Sequence, residues 1–187
     1  MNVSDSMRRV ADFLWDRFGD GAVVHQYGEG PDLLVFDSRV EGGEIAFLSS
    51  IGFSDYDFGA GVDGKPLRVE LLYVPLAEYG EAATDFLAAC ALSASKNQIL
   101  IQPDVLLPGM VELIWPDAAM KHVLLMEPFS AELPAQDVGE KIVAWLELAP
   151  ISESERVFAE QNGAEALKAK FAEAGVEFCD LNRASIV

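Results

Sequence analysis

The sequence contains only two cysteines, Cys90 and Cys179, and only two histidines, His25 and His122. The cysteines form no Cys-x-x-Cys pair, which argues against a disulfide scaffold of the secreted type and against a zinc-binding cluster. Neither histidine has a second histidine or a cysteine nearby in the sequence, so no set of metal ligands is visible. These absences predict a protein without a metal site, in the reducing cytoplasm.

Long hydrophobic runs are also absent. The longest apolar stretches, such as 71–76 and 99–101, are much shorter than the roughly 20 residues of a membrane-spanning helix. The first nine residues lack the basic head and the apolar run of a secretory signal peptide. Hydrophobic residues nevertheless make up 51% of the 187-residue chain, which is enough to bury a core. We expect one domain over 1–187 that does not contact a membrane.

Basic residues are few: 13 lysines and arginines stand against 31 aspartates and glutamates, so the formal net charge is −18. A small soluble domain usually has a net charge of about 2–8 in magnitude. The field of this chain repels nucleic acid and attracts basic partners. The acids are dispersed and form no tail, so two explanations stay open: an acidic face for a basic partner, or a surface that only confers solubility.

The pattern of apolar residues predicts an α+β chain. Helical spacing indicates a first helix that ends at Gly19 and a second over about 83–94. The last two helices lie within 152–187; the capping box of Ser152 and Glu155 begins the first of them, and the second ends at Gly175. β-Branched and aromatic runs predict strands at 22–27, 32–37, 44–50, 67–74, 98–102, 111–115, 122–126 and 141–148. This order predicts a mixed, largely antiparallel sheet with flanking helices, on which 152–187 packs.

Two motifs suggest a cofactor or a metal, and both fit a simpler explanation better. Segment 59–66 contains the glycines of a dinucleotide fingerprint and most of a phosphate-binding loop. Both of these sites need a helix after the loop, whereas 67–74 has the pattern of a strand, and Pro66 stands where Ser or Thr would bind magnesium. The carboxylates of Asp55 and Asp57 could bind a divalent cation, but a turn with exposed acids explains them better. We predict no nucleotide, cofactor or metal.

The sequence predicts no catalytic centre. Ser49, Ser50 and Ser54 lie near Gly52, but the full G-x-S-x-G motif of serine hydrolases is missing. Cys90 lies in the apolar stripe of the second helix, where core packing explains it. We therefore predict that the protein is not an enzyme. A hydrolase that uses Ser54 or a carboxylate stays open as an alternative function.

Several segments, taken in order, resemble suppressor-of-fused-like domains. Residues Ser50 to Asp55, which follow an apolar strand, are similar to the Gly-x-Ser signature of that family. Segment 68–75 resembles its strand with the pattern E-L-hydrophobic-x-x-P, and 122–128 resembles a later apolar strand that ends in proline. Pieces of 150–185 are similar to the family's C-terminal segments. Together these segments cover most of the chain from about residue 32 onward.

The resemblance implies a fold and a function. The chain has the length of the compact bacterial form and is too short for the two-domain animal members, which restrain a transcription factor. In that setting the resemblance implies an immunity protein that binds and neutralises a cognate toxin domain of a polymorphic or contact-dependent system. The acidic surface agrees with this, because nuclease toxins have basic clefts. An adaptor or scaffold protein that regulates another protein is the second hypothesis.

The predicted contact region is the loop 53–63, which is long and rich in glycine and acids. We expect its aromatic side chains to be exposed, and its aromatic and acidic side chains to contact the protein partner. These residues are Phe53, Asp55, Tyr56, Asp57, Phe58 and Asp63. A hairpin connection without a binding role is an equally open interpretation.

Overall fold

The computed structural model describes residues 3–28, 33–39, 42–57, 59–62 and 64–187. Within these residues, helices α1 to α5 span Asp5–Phe18, Gly80–Lys96, Met110–Ile114, Glu153–Asn162 and Ala164–Ala174. Strands β1 to β9 of the described residues span Val23–Tyr27, Leu33–Arg39, Ala46–Ile51, Gly61–Val62, Lys65–Tyr73, Leu106–Leu107, His122–Met126, Gln136–Asp137 and Ile142–Ile151. Short 3-10 turns occupy Phe53–Asp55 and Ala77–Tyr79.

The nine strands of the described residues form one sheet, in which seven follow the order β1-β2-β3-β5-β9-β7-β6, β4 pairs with β5 and β8 pairs with β9. Of the strand pairs within the described residues, β5 and β9 are parallel and the others are antiparallel. A parallel pair needs a long crossover connection, and the chain from α2 to β8 provides it. The predicted α+β fold, with a mixed, largely antiparallel sheet and flanking helices, is confirmed.

Helices cover both faces of the sheet. On one face, Val10 and Leu14 of α1 are fully buried with Phe36 of β2 in one hydrophobic cluster. On the other face, Phe86 and Leu87 of α2 are fully buried in the largest cluster. Burying each of these large side chains contributes about 1.5–3 kcal/mol, so both helices are held mainly by their apolar faces.

Side-chain caps and a glycine mark the ends of the helices. The side chain of Ser4 accepts a hydrogen bond from the backbone N–H of Met7 at 3.1 Å, which begins α1. Before α4, the side chain of Ser152 accepts the backbone N–H of Glu155, while the Glu155 carboxylate accepts the backbone N–H of Ser152. Helix α5 ends at Gly175, whose φ of 61° is in the left-handed region that glycine tolerates. The predicted capping box is therefore confirmed.

The C-terminal segment packs on β7 and β9. Leu167 and Phe171 of α5 are buried in one cluster with Leu124 and Ile151. A single domain over 1–187 requires such packing, and this organisation stays our prediction.

Two predicted strands are wrong. Residues 111–115 lie largely in α3, and 98–102 form no regular element. Gly109, with a φ of 73°, turns the chain into α3, so the apolar run that follows buries Met110 and Val111 as one face of a short helix. Short apolar runs fit a helix and a strand equally well, which explains the error.

Candidate functional site

The predicted contact loop begins inside the core. Phe53 is fully buried, and its ring lies 5.8 Å from the ring of Tyr56 between centroids. The expectation that Phe53 is exposed is therefore wrong, because the 3-10 turn places its ring in the cluster between the sheet and α2. A partner cannot contact this side chain in the observed conformation.

The next residues of the loop lie at the surface. The Asp55 side chain is 44% exposed and the Asp57 side chain is 72% exposed. Tyr56 is partly buried and packs against the core. Phe58 and Asp63 lie outside the described residues. That these residues contact a partner stays a prediction.

A buried carboxylate fixes the start of the loop. Glu70 of β5 is fully buried and accepts hydrogen bonds from the backbone N–H groups of Gly52, Phe53 and Ser54 at 2.9, 3.2 and 3.1 Å. It also accepts the hydroxyl of Ser50 at 2.5 Å. Gly52 has a φ of 102°, which only glycine adopts without strain. The Gly-x-Ser segment is thus wrapped around one carboxylate.

Lys141 fixes the same turn from the opposite side. Its ammonium group donates to the carbonyl oxygen of Ser54 at 2.9 Å and forms an ion pair with Asp55. Ser6 of α1 donates to the same carboxylate at 3.3 Å. The Lys141 side chain is only 7% exposed, so the lysine of this ion pair is shielded from solvent. Glu70 and Lys141 were not predicted as positioning residues; a glutamate inside the apolar strand 67–74 was the available signal.

A second buried carboxylate holds the proline-flanked segment 128–134. Glu147 of β9 accepts hydrogen bonds from the backbone N–H groups of Phe129 and Ser130 at 2.9 and 3.0 Å, and from the Ser130 hydroxyl at 2.5 Å. Burial raises the pKa of Glu147, and also that of Glu70, above the ordinary value of 4.5. In both cases the hydrogen bonds oppose this effect without cancelling it.

These raised pKa values predict how stability depends on pH. A glutamate with a raised pKa binds its proton more tightly in the folded state, so stability is lost as pH rises from 4.5 through the folded pKa. We expect Glu70→Gln to reduce the amount by which the free energy of unfolding falls over this pH range. Urea unfolding at several pH values between 4.5 and 8 measures it, and Glu173→Gln on the exposed side of α5 controls for the loss of one carboxylate. Parallel slopes for wild type and Glu70→Gln would contradict the prediction.

An apolar groove lies beside the contact loop. One cavity of about 360 Å³ is formed by the adjacent strands β5 and β9 together with residues of the segments 100–103 and 127–133. Its lining is almost entirely apolar: Ala60, Leu67, Val69, Leu100, Ile101, Gln102, Pro103, Glu127, Pro128, Leu133, Ala144, Trp145 and Leu146. A second cavity, also about 360 Å³, is lined by Tyr56, Asp57, Ser95, Gln98 and Leu100. Leu100 is 52% exposed and lines both cavities. We call the two cavities together the Leu100 groove.

Charged side chains surround the Leu100 groove. Asp57 pairs with Arg68 at 2.9 Å, and Glu127, 64% exposed, lies 3.7 Å from Lys168. Lys168 also pairs with Asp104 at 2.8 Å. An apolar floor with a charged rim is the composition of protein–protein contact sites. Across the described ranges, no group of three or more His, Cys, Asp or Glu side chains could hold a metal ion.

Ser54, which a hydrolase could use, is buried, and both histidines form contacts within the fold. Ser54 is 1% exposed, so a substrate cannot reach its hydroxyl in this conformation. The side chain of His25 bonds to Asp37 at 3.3 Å. His122 accepts the backbone N–H of Gly109 at its Nδ1, so its Nε2 carries the proton donated to a glutamate of α4. These contacts join structural elements and do not assemble a nucleophile with a base.

The glycine-rich segment has the geometry of a hairpin. Its residues 61–62 pair with 65–66, which begin β5, so among the described residues a strand, and not the helix N-terminus that a phosphate needs, follows this segment. We expect calorimetry with ATP, NAD and Mg²⁺ to show no binding, and elemental analysis to show no stoichiometric metal. Micromolar nucleotide binding that is lost in Lys65→Ala would contradict this prediction.

Comparisons with known proteins agree on one family. Residues 29–184 match the family described as Suppressor of fused protein (SUFU). Immunity protein YqcF of Bacillus subtilis strain 168 is 27% identical over 195 residues, which cover 100% of both chains. In the described part of the chain, no helix is long and apolar enough to cross a membrane.

Solved structures share the fold over nearly the whole chain. A suppressor of fused homologue from Neisseria gonorrhoeae FA 1090 has a TM-score of 0.75 and 23% identity, with 98% of this chain and 97% of that chain covered. The Sufu–Fu complex gives a TM-score of 0.72 at 10% identity, covering 97% of this chain and 92% of that chain. Drosophila Suppressor of Fused gives 0.70 at 10% identity, covering 95% and 50%. The family match covers most of the sequence, and the chain therefore belongs to the suppressor of fused family.

Proposed function

We propose that this chain is a non-catalytic protein-binding module, and specifically an immunity protein that binds and neutralises a toxin domain in the cytoplasm. The observation that carries the proposal is the Leu100 groove, an apolar surface next to an exposed acidic loop on a chain with a net charge of −18. Full-length similarity to a protein named as an immunity protein supports the same function.

The charge of the chain favours a basic partner. Opposite fields accelerate encounter by roughly 10–1,000-fold at low salt, and fast capture is useful to a protein that must block a toxin inside its own cell. Leu100 and its apolar neighbours would then provide the desolvated contact that holds the complex. In this arrangement the acids set the rate of association, and the apolar groove sets the rate of dissociation.

A second candidate function is that of an adaptor that regulates another protein. The solved Sufu–Fu complex supports it, because there a protein of the same fold is named together with a protein partner. The two candidates differ in the number of partners and in the consequence of binding. An immunity protein has one cognate toxin and abolishes its activity, whereas an adaptor has several partners and regulates their activities without abolishing them.

The test is to express the domains encoded by the adjacent genes, and to co-express this chain with any of them that stops cell growth. We expect a stoichiometric complex and restored growth of cells that produce the toxin. Leu100→Glu should abolish both, because it places a charge in the apolar groove. Leu113→Glu is the matched control, since Leu113 is 67% exposed on α3 and does not line the groove. Rescue by Leu100→Glu equal to wild type, or growth that is not restored by the wild-type protein, would contradict the proposal.

A further inference from the structure

A separate cavity of about 480 Å³ lies at the end of α1, on the sheet face opposite α2. Its lining shares no residue with the Leu100 groove. The residues around it come from the end of α1, the β2–β3 hairpin, the residue that follows β5 and the segment held by Glu147: Trp15, Asp16, Arg17, Phe18, Gly19, Asp20, Ser38, Ile45, Ala46, Phe47, Val74, Ser130 and Ala131. We call this cavity the Trp15 pocket.

Trp15 is exposed but held in place. Its side chain is 49% exposed, and its ring meets the ring of Phe36 edge to face at 5.6 Å between centroids. The ring also lies against Gly19, where an added Cβ would be only 2.6 Å from Cδ1 of Trp15. A side chain at position 19 would clash with the backbone oxygen of Trp15, at 2.3 Å, as well as with the indole. An exposed tryptophan in a fixed orientation loses little entropy when it binds, which is the property of energetically dominant contact residues.

The rest of the pocket wall is apolar. Phe18 and Phe47 stack with their ring centroids 3.9 Å apart and an interplanar angle of 20°. Ile45, at the end of the β2–β3 hairpin, is 52% exposed. Trp15 and Ile45 are therefore two large apolar side chains that border one cavity and leave half of their surface in water. Their burial by one inserted side chain would be favourable.

The rim of the Trp15 pocket is acidic. Asp16 and Asp20 line it, and neither forms an ion pair with another described residue. Arg17 also lines the pocket, and its guanidinium lies 5.5 Å from the ring centre of Phe13. A neighbouring cavity shares Arg17 and adds Glu132 to the acidic rim. Carboxylates thus outnumber the guanidinium around an apolar centre.

We propose that the Trp15 pocket binds a basic segment of a partner protein, which inserts one large apolar side chain between lysines or arginines. The inference rests on the proposed function, because it adds a second contact surface for the same kind of partner. The acidic rim would pair with the basic residues, and the indole, Ile45 and the stacked rings would enclose the inserted side chain. A second copy of this chain is disfavoured as the occupant, because two molecules of charge −18 repel each other.

Two synthetic peptides test the pocket directly. One has the sequence Lys-Arg-Phe-Lys-Arg with blocked ends, and the other has alanine in place of phenylalanine, so the two have the same charge. Titration is followed by NMR on the indole N–H signals of the three tryptophans, with that of Trp15 assigned by Trp15→Phe. We expect the phenylalanine peptide to shift the Trp15 signal in a saturable manner and to bind about tenfold or more tightly than the alanine peptide.

Variants separate the apolar and the acidic contributions. Ile45→Ala should weaken binding of the phenylalanine peptide severalfold, whereas Leu113→Ala, which truncates an exposed side chain on α3 outside the pocket, should leave it unchanged. The double variant Asp16→Asn with Asp20→Asn should weaken both peptides alike. Equal binding of the two peptides, or shifts confined to Trp115 or Trp145, would overturn the inference. Neither result depends on whether the protein rescues cells from a toxin. An outcome that contradicts peptide binding at the Trp15 pocket is therefore distinguishable from one that contradicts the proposed function.

Discussion

Glu155→Ala is expected to lower the free energy of unfolding by about 3–5 kcal/mol, because it leaves a buried charge without its partner. Glu155 is fully buried and accepts two hydrogen bonds from the guanidinium of Arg183 at 2.7 and 2.9 Å. It also accepts the backbone N–H of Ser152 at 2.9 Å and that of Ile186 at 3.2 Å. One carboxylate therefore starts α4 and fixes the last residues of the chain against it.

Urea unfolding followed by circular dichroism measures this effect. Arg183→Ala should cost a similar amount, and the double variant should cost less than the sum of the two single changes, because they remove the same ion pair. Glu160→Ala provides the control on the same helix. Glu160 is 49% exposed and pairs with Arg156, so its loss should cost no more than about 1 kcal/mol. Equal destabilisation by Glu155→Ala and Glu160→Ala would contradict the structural role of the buried pair.

The elements with local signals were predictable from the sequence. The capping box of Ser152 and Glu155 depends on residues three positions apart, and the helix it begins was placed correctly. The strands 122–126 and 67–74 were also predicted near their observed bounds, since β-branched and apolar runs flanked by turn residues favour strands. The capping box did not indicate that Glu155 also pairs with Arg183, because Arg183 lies 28 positions away in the sequence.

The candidate site was only partly predictable. The loop was identified from glycine and acid content, which indicates surface exposure but does not fix the direction of any one side chain. Phe53 was expected to be exposed and is buried. Glu70 binds the backbone of the 3-10 turn and so sets the direction of the Phe53 ring. The Leu100 groove could not be predicted, since it joins segments that meet only when β5 and β9 pair in parallel.

The last expected result concerns the rate of association with a basic partner. Reversing Asp57 and Glu127 to lysine should slow association by about tenfold or more at low salt, because both carboxylates lie beside the Leu100 groove and are well exposed, at 72% and 64%. Stopped-flow mixing with the toxin domain gives the association and dissociation rates separately. The dissociation rate should change much less, since these acids act mainly on the encounter.

The matched control reverses Glu78 and Asp117, which changes the net charge by the same amount. Glu78 precedes Tyr79, and the ring of Tyr79 lies 5.5 Å from that of Trp115, so both control acids lie near the start of α2. The groove lies at the other end of this 17-residue helix, roughly 25 Å away at 1.5 Å per residue. That distance is longer than the Debye length of about 8 Å at physiological salt and comparable with about 30 Å at 0.01 M.

The two double variants should therefore differ most near physiological salt, where only charges close to the contact surface still act on the partner. For the wild-type protein, the association rate should fall steeply as salt is raised from 0.01 to 0.15 M. Equal slowing by both double variants at 0.15 M salt would mean that only the net charge matters. An association rate that does not respond to salt would remove the electrostatic explanation, and the acids would then serve solubility alone.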